Sequence, residues 1–352
     1  MEQALKEFLT RQWPDAETIE IKDYAILAGG YSRETYRFDA HVKRSGQWQA
    51  YPMILRKDPP PASAILSTSR EMEHELLKAV RQHTTIPVSE SYFAEMNPET
   101  FGDCAMIIER VHGSGEPSLL FNGGPNADQA EAVATQLCEL IAQLHLLDPK
   151  TLNPDGRLND PRGVGIDVSS WDSYMNTATD YYVRSYRDLE FAPLPTFYDA
   201  YLTLRRERPR PLPLVVAHGD FNPANFLYER GEVTALIDWE NCHIGDPRED
   251  LGWLALMDGL SNTNIFGSVK EDGGFIGHYN KLTGFDVTPE EVHYFSMFTG
   301  GNIGIPVGSA VKRRIDGLCS DILLMYMIQP FCGSSMIFAN LLGYPLATPG
   351  VA

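Results

Sequence analysis

Cysteine is scarce in this sequence, and its few cysteines lie far apart. There are five, an odd number without any Cys-x-x-Cys pair: Cys104, Cys138, Cys242, Cys319 and Cys332. This usage argues against a disulfide framework and against a zinc site. Cys242 and His243 are adjacent, but neighbouring residues on a strand point to opposite faces, which favours ordinary packing. A reducing compartment, and therefore a cytoplasmic protein, is expected.

Long hydrophobic runs are also missing. The first segment, MEQALKEFLTRQWPDAE, distributes charges through a helical apolar pattern, which is not typical of a signal peptide. The apolar segment ILLMYMIQPF is interrupted by Gln329 and Pro330 and is too short to span a bilayer. No membrane partner is therefore expected.

Positive charge is in short supply. The chain has 29 Lys and Arg residues against 47 Asp and Glu residues, which gives a formal net charge of -18. Residues 1–111 contain 13 basic and 17 acidic side chains, and the remainder contains 16 and 30. The acidity of the second part disfavours nucleic acid as a partner. It would attract a cationic small molecule, although solubility explains the same charge.

A dinucleotide-binding fingerprint is absent as well. Gly163-Val164-Gly165 lacks a third glycine and a strand-to-helix context. With 43% apolar and 22% charged residues, the composition is typical of a globular protein. A chain of 352 residues exceeds one comfortable hydrophobic core, so two lobes are predicted.

The first part of the chain is rich in strand signals. Three β-rich segments are punctuated by glycine-containing turns and predict an antiparallel meander: YAILAGG, ETYRFDAHVKR and QAYPMILRK. The amphipathic helix SREMEHELLKAVRQH follows, and then two further strand candidates. The order β-β-β-α-β-β predicts a small α+β N-lobe over residues 1–111. Residues 112–352 are predicted to form a larger, mainly helical C-lobe, in which an aromatic-rich segment over 171–206 is interpreted mostly as core.

A short hairpin is predicted within residues 215–251. Two apolar runs, FLY and VTALID, are separated by the polar turn ERGE, in which Gly231 supplies turn geometry. Pairing of the runs brings Asn225, just before one strand, close to Asp238 at the end of the other. Asp220 lies five residues before Asn225 on a glycine-containing loop, so its carboxylate can reach the same space.

Two carboxylates and an amide oxygen suit Mg²⁺, with most coordination positions left for water and phosphate. His218-Gly219-Asp220 followed by Asn225 repeats the spacing of the protein kinase catalytic loop, with glycine in place of arginine. The spacing therefore indicates phosphoryl transfer, with Asp220 as the catalytic base and Asn225 and Asp238 as metal ligands. The simpler alternative is that Asp220 caps a turn and Asp238 ends a strand.

The chain resembles the aminoglycoside phosphotransferase family of small-molecule kinases. HGDFNPANF, IDWE and GDPREDL match the three spaced signatures of that family around its catalytic and metal-binding aspartates. Further similarity runs through LAGGYSRETYRF, ILRKDPP, MIIERVHG and LIAQLHLLDP. The LRKDPP strand is similar to the branch found fused to acyl-CoA dehydrogenases. The resemblance implies a protein-kinase-like two-lobed fold with ATP and Mg²⁺ in the cleft.

Residues expected to contact the ATP phosphates lie in the N-lobe. The turn that contains Gly29, Gly30 and Ser32 can offer amide and hydroxyl donors to phosphate oxygens. Alternation along MILRK puts Arg56 and Lys57 on opposite faces, and Arg56 is the predicted phosphate contact. Lys57 remains the rival.

A carboxylate on the next helix is expected to hold Arg56, as in protein kinases. Alignment with the corresponding helix of the family points to Glu73, with Glu71 and Glu75 as close alternatives. A solvated helix face would explain all three.

The resemblance implies roles for several other residues. Adenine would bond to the backbone carbonyl of Glu109 and the backbone amide of Val111. His218 is interpreted as a structural residue that braces the loop, and Asp246 and Asp250 as supports of the catalytic loop.

The predicted activity is transfer of the γ-phosphoryl group of ATP to a hydroxyl of a small molecule. Similarity to the fused branch implies a hydroxyacyl or other metabolic hydroxyl compound, whereas the acidic C-lobe favours an aminoglycoside or amino alcohol. A nucleotide-binding pseudokinase with a regulatory role is the alternative from another class, although Asp220, Asn225 and Asp238 are all present. A protein kinase is disfavoured because GDPREDL follows Asp238 too closely for a long activation loop.

Overall fold

The protein is described here from a computed structural model that covers residues 1–27, 34–66, 68–189 and 195–344. The predicted phosphate-binding residues Gly29, Gly30 and Ser32 lie outside these described residues. Each lobe is built around a sheet or hairpin that carries part of the candidate site.

The first lobe is an antiparallel sheet of five strands in the order β1-β2-β3-β5-β4. Its strands are β1 (Thr18–Leu27), β2 (Glu34–Arg44), β3 (Gln47–Lys57), β4 (Ser91–Glu95) and β5 (Ala105–Glu109). Alternation along β5 sends Ile107 to one face of the sheet and Met106 and Ile108 to the other.

Helices cover both faces of this sheet. The first lobe contains α1 (Glu2–Gln12), α2 (Arg70–His83) and the short α3 (Pro98–Phe101). Helix α1 buries Leu5, Phe8 and Leu9 in the same cluster as Ile107. Helix α2 begins at a Ser69 cap and packs Leu76 and Val80 with Met106 and Ile108. The predicted strand-and-helix order omitted α1 and α3.

The second lobe is mainly helical. Its helices are α4 (Ala130–Leu146), α5 (Pro149–Leu152), α6 (Trp171–Leu189), α7 (Pro195–Arg206), α8 (Arg248–Ser261), α9 (Ile265–Ser268), α10 (Phe275–Thr283), α11 (Pro289–Ile315), α12 (Ile322–Tyr326) and α13 (Ile328–Leu341). In the aromatic-rich segment, Tyr174, Tyr182, Phe197 and Tyr201 are buried, and Trp171 and Tyr186 pack against the core as partly buried rings. These six rings agree with the interpretation of the segment mostly as core. No described helix combines the length and apolar character needed to cross a bilayer.

Two short strand pairs position the loops of the second lobe. They are formed by β6 (Val215–Ala217) with β9 (His243–Gly245), and by β7 (Phe226–Glu229) with β8 (Glu232–Leu236). The β7–β8 turn carries Arg230 and Gly231 at positive φ, 54° and 82°, as the favoured two-residue hairpin turn requires. The predicted hairpin and the predicted α+β, kinase-like fold are both confirmed.

Candidate active site

Asn225 and Asp238 lie at the same end of the β7–β8 hairpin. Phe226 pairs with Leu236, and the amide of Ile237 donates to the carbonyl of Asn225 at 3.0 Å. Asp238 then leaves the strand with φ 67° and ψ 56°. This left-handed conformation costs a non-glycine residue on the order of 1 kcal/mol, although aspartate tolerates it better than most residues. The backbone thus turns sharply where a metal ligand was predicted.

Asp220 is held at the same end by its own loop. Its Oδ1 accepts hydrogen bonds from the Trp253 indole at 2.7 Å and from the Asn222 amide at 2.8 Å. Burial and the charge of Asp238 raise the pKa of Asp220 to about 7, although the hydrogen bonds from Trp253, Asn222 and Asn225 oppose this shift. The carboxyl group therefore titrates near neutral pH, where a general base is most effective.

Asn225 bonds to the start of its own loop through its side-chain nitrogen, and its side-chain oxygen remains for a ligand. Its side-chain nitrogen donates to the carbonyl of Asp220 at 2.9 Å. The amide oxygen is a hard donor, as are the carboxylate oxygens of Asp238, and Mg²⁺ prefers such oxygens. The residue types at this point therefore fit Mg²⁺ shared with phosphate oxygens.

Arg56 reaches this place from strand β3 of the other lobe. Its guanidinium donates to Glu73 at 2.9 Å and to Asp238 at 2.5 Å. Glu71 and Glu75 do not take part in this pairing, and the rival Lys57 pairs instead with Glu34 at 2.8 Å. Arg56 thus joins the sheet, helix α2 and the turn at Asp238.

Arg70 and Glu240 extend this network, and sequence reasoning missed both. Arg70 is fully buried at the first position of α2, where it pairs with Glu73, with Glu240 at 3.3 Å and with Asp58 at 3.1 Å. Glu240 also lies 3.5 Å from Arg56. Among the described residues, these contacts join two guanidinium groups to four carboxylates.

The sequence contains a signal for each of these two residues. Glu240 is the final residue of the IDWE motif, two positions after Asp238. Arg70 is a cation in the first turn of a helix, which opposes the helix dipole and therefore requires compensating carboxylates. Both signals identify a position but not a partner.

Asp250 of helix α8 holds the predicted catalytic loop. It accepts backbone hydrogen bonds from His218 at 2.7 Å and Gly219 at 2.9 Å, and it contacts His145 at 3.0 Å. Burial alone would raise its pKa, but the hydrogen bond and charge of His145 lower it. His218 itself is buried, its Nδ1 accepts from the amide of Asp220, and its ring packs on Trp239. These contacts are typical of residues that hold a loop in place.

Asp246 anchors a second support. It accepts from the fully buried guanidinium of Arg248 at 2.6 Å and from the indole of Trp171 at 2.6 Å. Arg248 continues to Glu291 at 2.9 Å, which ties α8 to α11. Asp246 therefore joins helices of the C-lobe to each other, whereas Asp250 bonds to the loop that carries Asp220.

The segment after β5 is the one to which the resemblance assigns the nucleotide base. The amide of Arg110 donates to Pro52 of β3 at 3.0 Å, so backbone alternation turns the polar groups of Glu109 and Val111 away from β3. Glu109 donates its amide to Glu90 at 2.8 Å. In the described part of the chain, the amide of Val111 makes no backbone hydrogen bond.

A pocket opens beside the predicted catalytic loop, and we call it the loop-side pocket. Gly219, next to Asp220, and Asn241, three residues after Asp238, form one wall. Tyr174 and Tyr181 of α6 and the segment around Arg162 form the others. Because it adjoins both predicted catalytic segments, this pocket is a candidate for the acceptor.

Comparisons with known sequences give one family and a set of distant relatives. The pattern of the phosphotransferase enzyme family matches residues 23–287. Acyl-CoA dehydrogenase family member 10 of Mus musculus is 24% identical over 267 residues, which cover 72% of this chain and 22% of that protein. Acyl-CoA dehydrogenase family member 11 of Homo sapiens is 24% identical over 306 residues, or 85% of this chain and 36% of that protein. The chain thus spans much less than two thirds of these relatives.

Solved structures with the same fold include phosphotransferases. The GDP complex of aminoglycoside 2'-phosphotransferase-IIIa gives a TM-score of 0.60 at 13% identity and covers 96% of this chain and 99% of that one. A macrolide 2'-phosphotransferase from Brachybacterium faecium gives 0.53 at 16% identity and covers 98% and 100%. These likenesses establish the fold, and the match over residues 23–287 shows that the chain belongs to the phosphotransferase enzyme family.

Proposed function

We propose that this protein transfers the γ-phosphoryl group of ATP to a hydroxyl group of a small molecule. The observation that carries the proposal is the convergence of Asp220, Asn225 and Asp238 at one hairpin end, with Arg56 of the other lobe bonded to Asp238 at 2.5 Å. The family and the nucleotide complexes of its structural neighbours support this activity.

Asp220 is proposed as the catalytic base. Trp253 and Asn222 both donate to its Oδ1 and fix the plane of the carboxylate. We assign Oδ2 to the acceptor hydroxyl, which it would orient and from which it would take the proton as the phosphate ester forms. The pKa of about 7 suits this exchange.

Asn225 and Asp238 are proposed to hold Mg²⁺ through their side-chain oxygens. Bound Mg²⁺ supplies neutralisation of the charge on the transferring phosphate. Arg56, fixed by Glu73, is proposed to bind phosphate oxygens as a planar bidentate donor. The Arg56–Asp238 contact of 2.5 Å places the guanidinium beside the carboxylate that is proposed to bind Mg²⁺.

The base of the nucleotide is proposed to bind the carbonyl of Glu109 and the amide of Val111. The backbone groups of this segment that face away from β3 support that assignment.

Gly29, Gly30 and Ser32 are proposed to cover the phosphates, and the division of the two lobes near residue 111 remains a prediction. All five cysteines are free, which supports the cytoplasm as the proposed location.

The acceptor is proposed to be a metabolic hydroxyl compound, such as a hydroxyacyl compound. Two curated relatives are named acyl-CoA dehydrogenase family members 10 and 11, which supports acyl chemistry. The rival acceptors are aminoglycosides and amino alcohols, because one neighbour was solved with ADP and hygromycin B. A regulatory pseudokinase is the rival from another class.

The test is acceptor-dependent release of ADP by the purified protein with Mg²⁺ and ATP. The panel contains hydroxy acids, hydroxyacyl-CoA thioesters, sugars, amino alcohols and aminoglycosides. We expect turnover with one class, and a loss of at least about 100-fold in kcat for Asp220→Asn, since the base would be gone. Asp155→Asn, an exposed change that affects only the Arg157 pair, serves as the control. Nucleotide binding without turnover of any acceptor would favour the pseudokinase.

A further inference from the structure

The segment 160–165 presents its one cation to the loop-side pocket. Asp160 caps this segment, because its carboxylate accepts the amides of Val164 at 3.0 Å and Gly165 at 2.7 Å. Arg162 lies within the capped turn and lines the pocket. The turn therefore fixes the backbone from which the guanidinium extends.

The guanidinium of Arg162 makes no ion pair or hydrogen bond with any residue of the described ranges, although the side chain is only partly exposed. It lies close enough to Tyr174 and His243 to affect both electrostatically, since its charge opposes the net rise in each pKa. Most other buried or half-buried arginines of the active region, such as Arg56, Arg70 and Arg248, bond to carboxylates. Arg162 differs from these arginines, because its guanidinium lines a pocket and has no carboxylate partner among the described residues.

The carboxylates around this pocket are all engaged by the protein itself. Glu249 accepts from the Tyr174 hydroxyl at 2.5 Å and from His243 at 3.3 Å. Asp250 is used by His218, Gly219 and His145, and Asp160 by its own turn. Among the charged side chains that the described residues contribute to this pocket, Arg162 is therefore the one whose hydrogen-bonding groups are left to a ligand.

Apolar side chains line the same pocket as Arg162. Val164, Ile166 and Ala178 line the pocket, with the ring of Tyr181. Arg162, Val164 and Tyr181 also line a second cavity that extends to α11 and to the segment after β3. A ligand with a short apolar chain would contact these side chains, and an anionic end would meet the guanidinium.

We infer that Arg162 is a specificity-determining residue that binds an anionic group of the acceptor, so that the protein phosphorylates hydroxyl compounds carrying a carboxylate or a phosphate. The inference rests on the proposed function and narrows it. It favours acceptors of opposite charge to an aminoglycoside, because two cations would otherwise meet in the same pocket. The shared chemistry is an anion at the end of a short apolar chain, whether it belongs to a free hydroxy acid or to the phosphates of a thioester.

The experiment compares acceptors that carry an anionic group with counterparts that lack it. Hydroxy acids of graded length are assayed beside their neutral amides, and hydroxyacyl-CoA beside hydroxyacyl-pantetheine, which lacks the CoA phosphates. We expect the anionic member of a pair to be preferred by wild type. Arg162→Gln should raise its KM about 10- to 100-fold, with a smaller change in kcat and little effect on the neutral member. Arg162→Lys should restore part of the loss.

Arg157→Gln is the control variant, because Arg157 belongs to the same part of the chain but pairs with Asp155 outside the pocket. The preferred pair identifies the source of the anion. Efficient turnover of neutral or cationic acceptors, unchanged by Arg162→Gln, would overturn this inference and leave the kinase intact. Failure to phosphorylate every acceptor, with nucleotide bound, would overturn the proposed function and this inference together.

Discussion

Asp238 combines a charge with a backbone conformation that few residues accept. Its φ of 67° suits aspartate or asparagine better than alanine, so a change to alanine would alter both the charge and the turn. Asparagine removes the charge alone. At the residue scale, this makes Asp238→Asn the cleanest probe of the proposed metal site.

We predict that Asp238→Asn lowers kcat by at least about 100-fold, because a charged metal ligand is lost. It should also lower the pKa of Asp220, since the charge of Asp238 is one cause of the rise to about 7. The measurement is a carboxyl titration of Asp220 by NMR in both proteins, without nucleotide. An unchanged pKa would contradict the electrostatic coupling of the two carboxylates.

The raised pKa of Asp220 predicts a pH dependence. As a base, the residue is active when deprotonated, so kcat/KM should rise with pH through about 7 and level off above it. The folded protein binds this proton more tightly than the unfolded chain does, so this residue contributes less stability as pH rises from about 4 to 7. Asp220→Asn should therefore flatten the dependence of unfolding free energy on pH in that range. A kcat/KM that falls as pH rises through 7 would contradict the assignment of Asp220 as a base.

At the scale of elements, the sequence predicts those parts whose signals are local. The β7–β8 hairpin follows from two apolar runs and a glycine turn, and α2 follows from its apolar spacing. The family resemblance selected Glu73 over its neighbours, and the contacts of α2 agree with that choice. The helical pattern alone did not exclude Glu71 or Glu75 as the partner of Arg56.

Long-range contacts could not be predicted in the same way. Arg70 contacts Glu240, which lies 170 positions away in the sequence, and Trp253 of helix α8 donates to Asp220. The β6–β9 pair has three residues in each strand, too few for a periodic signal. These contacts depend on how the lobes and helices pack, which local patterns do not specify.

Helix α2 offers a prediction at the same scale. Glu73 is only 1% exposed and bonds to both Arg56 and Arg70, so Glu73→Gln leaves a buried guanidinium without its full partner. We expect a loss of about 3 to 5 kcal/mol in unfolding free energy and a higher KM for ATP. Glu75, which is 53% exposed, is the matched control, and Glu75→Gln should change stability by less than about 0.5 kcal/mol. Urea denaturation measures both, and equal effects would contradict a special role of Glu73.

At the scale of the whole molecule, the candidate nucleotide site is divided between two lobes. Arg56 comes from the sheet and Asp238 from the hairpin of the helical lobe, and their bond closes the space between them. A ligand that contacts both sides stabilises the folded protein in proportion to its occupancy.

Mg²⁺ and a non-hydrolysable ATP analogue together should therefore stabilise the protein by about 2.7 kcal/mol at a concentration 100 times Kd. Either component alone should stabilise it less, because the proposed site uses both. Thermal unfolding measures this, with Asp238→Asn as the variant in which the Mg²⁺ dependence disappears. Stabilisation by the analogue that is independent of Mg²⁺ in both proteins would contradict the proposed role of Asp238.

The most direct test of the central claim is transfer of a labelled γ-phosphoryl group from ATP to an acceptor hydroxyl. Wild type should convert label from ATP into a stable phosphate ester of an anionic hydroxyl compound, and Asp220→Asn should form almost none under the same conditions. Label that is released only as inorganic phosphate, or that appears equally with both proteins, would contradict the assignment of Asp220, Asn225 and Asp238 as a phosphotransfer site.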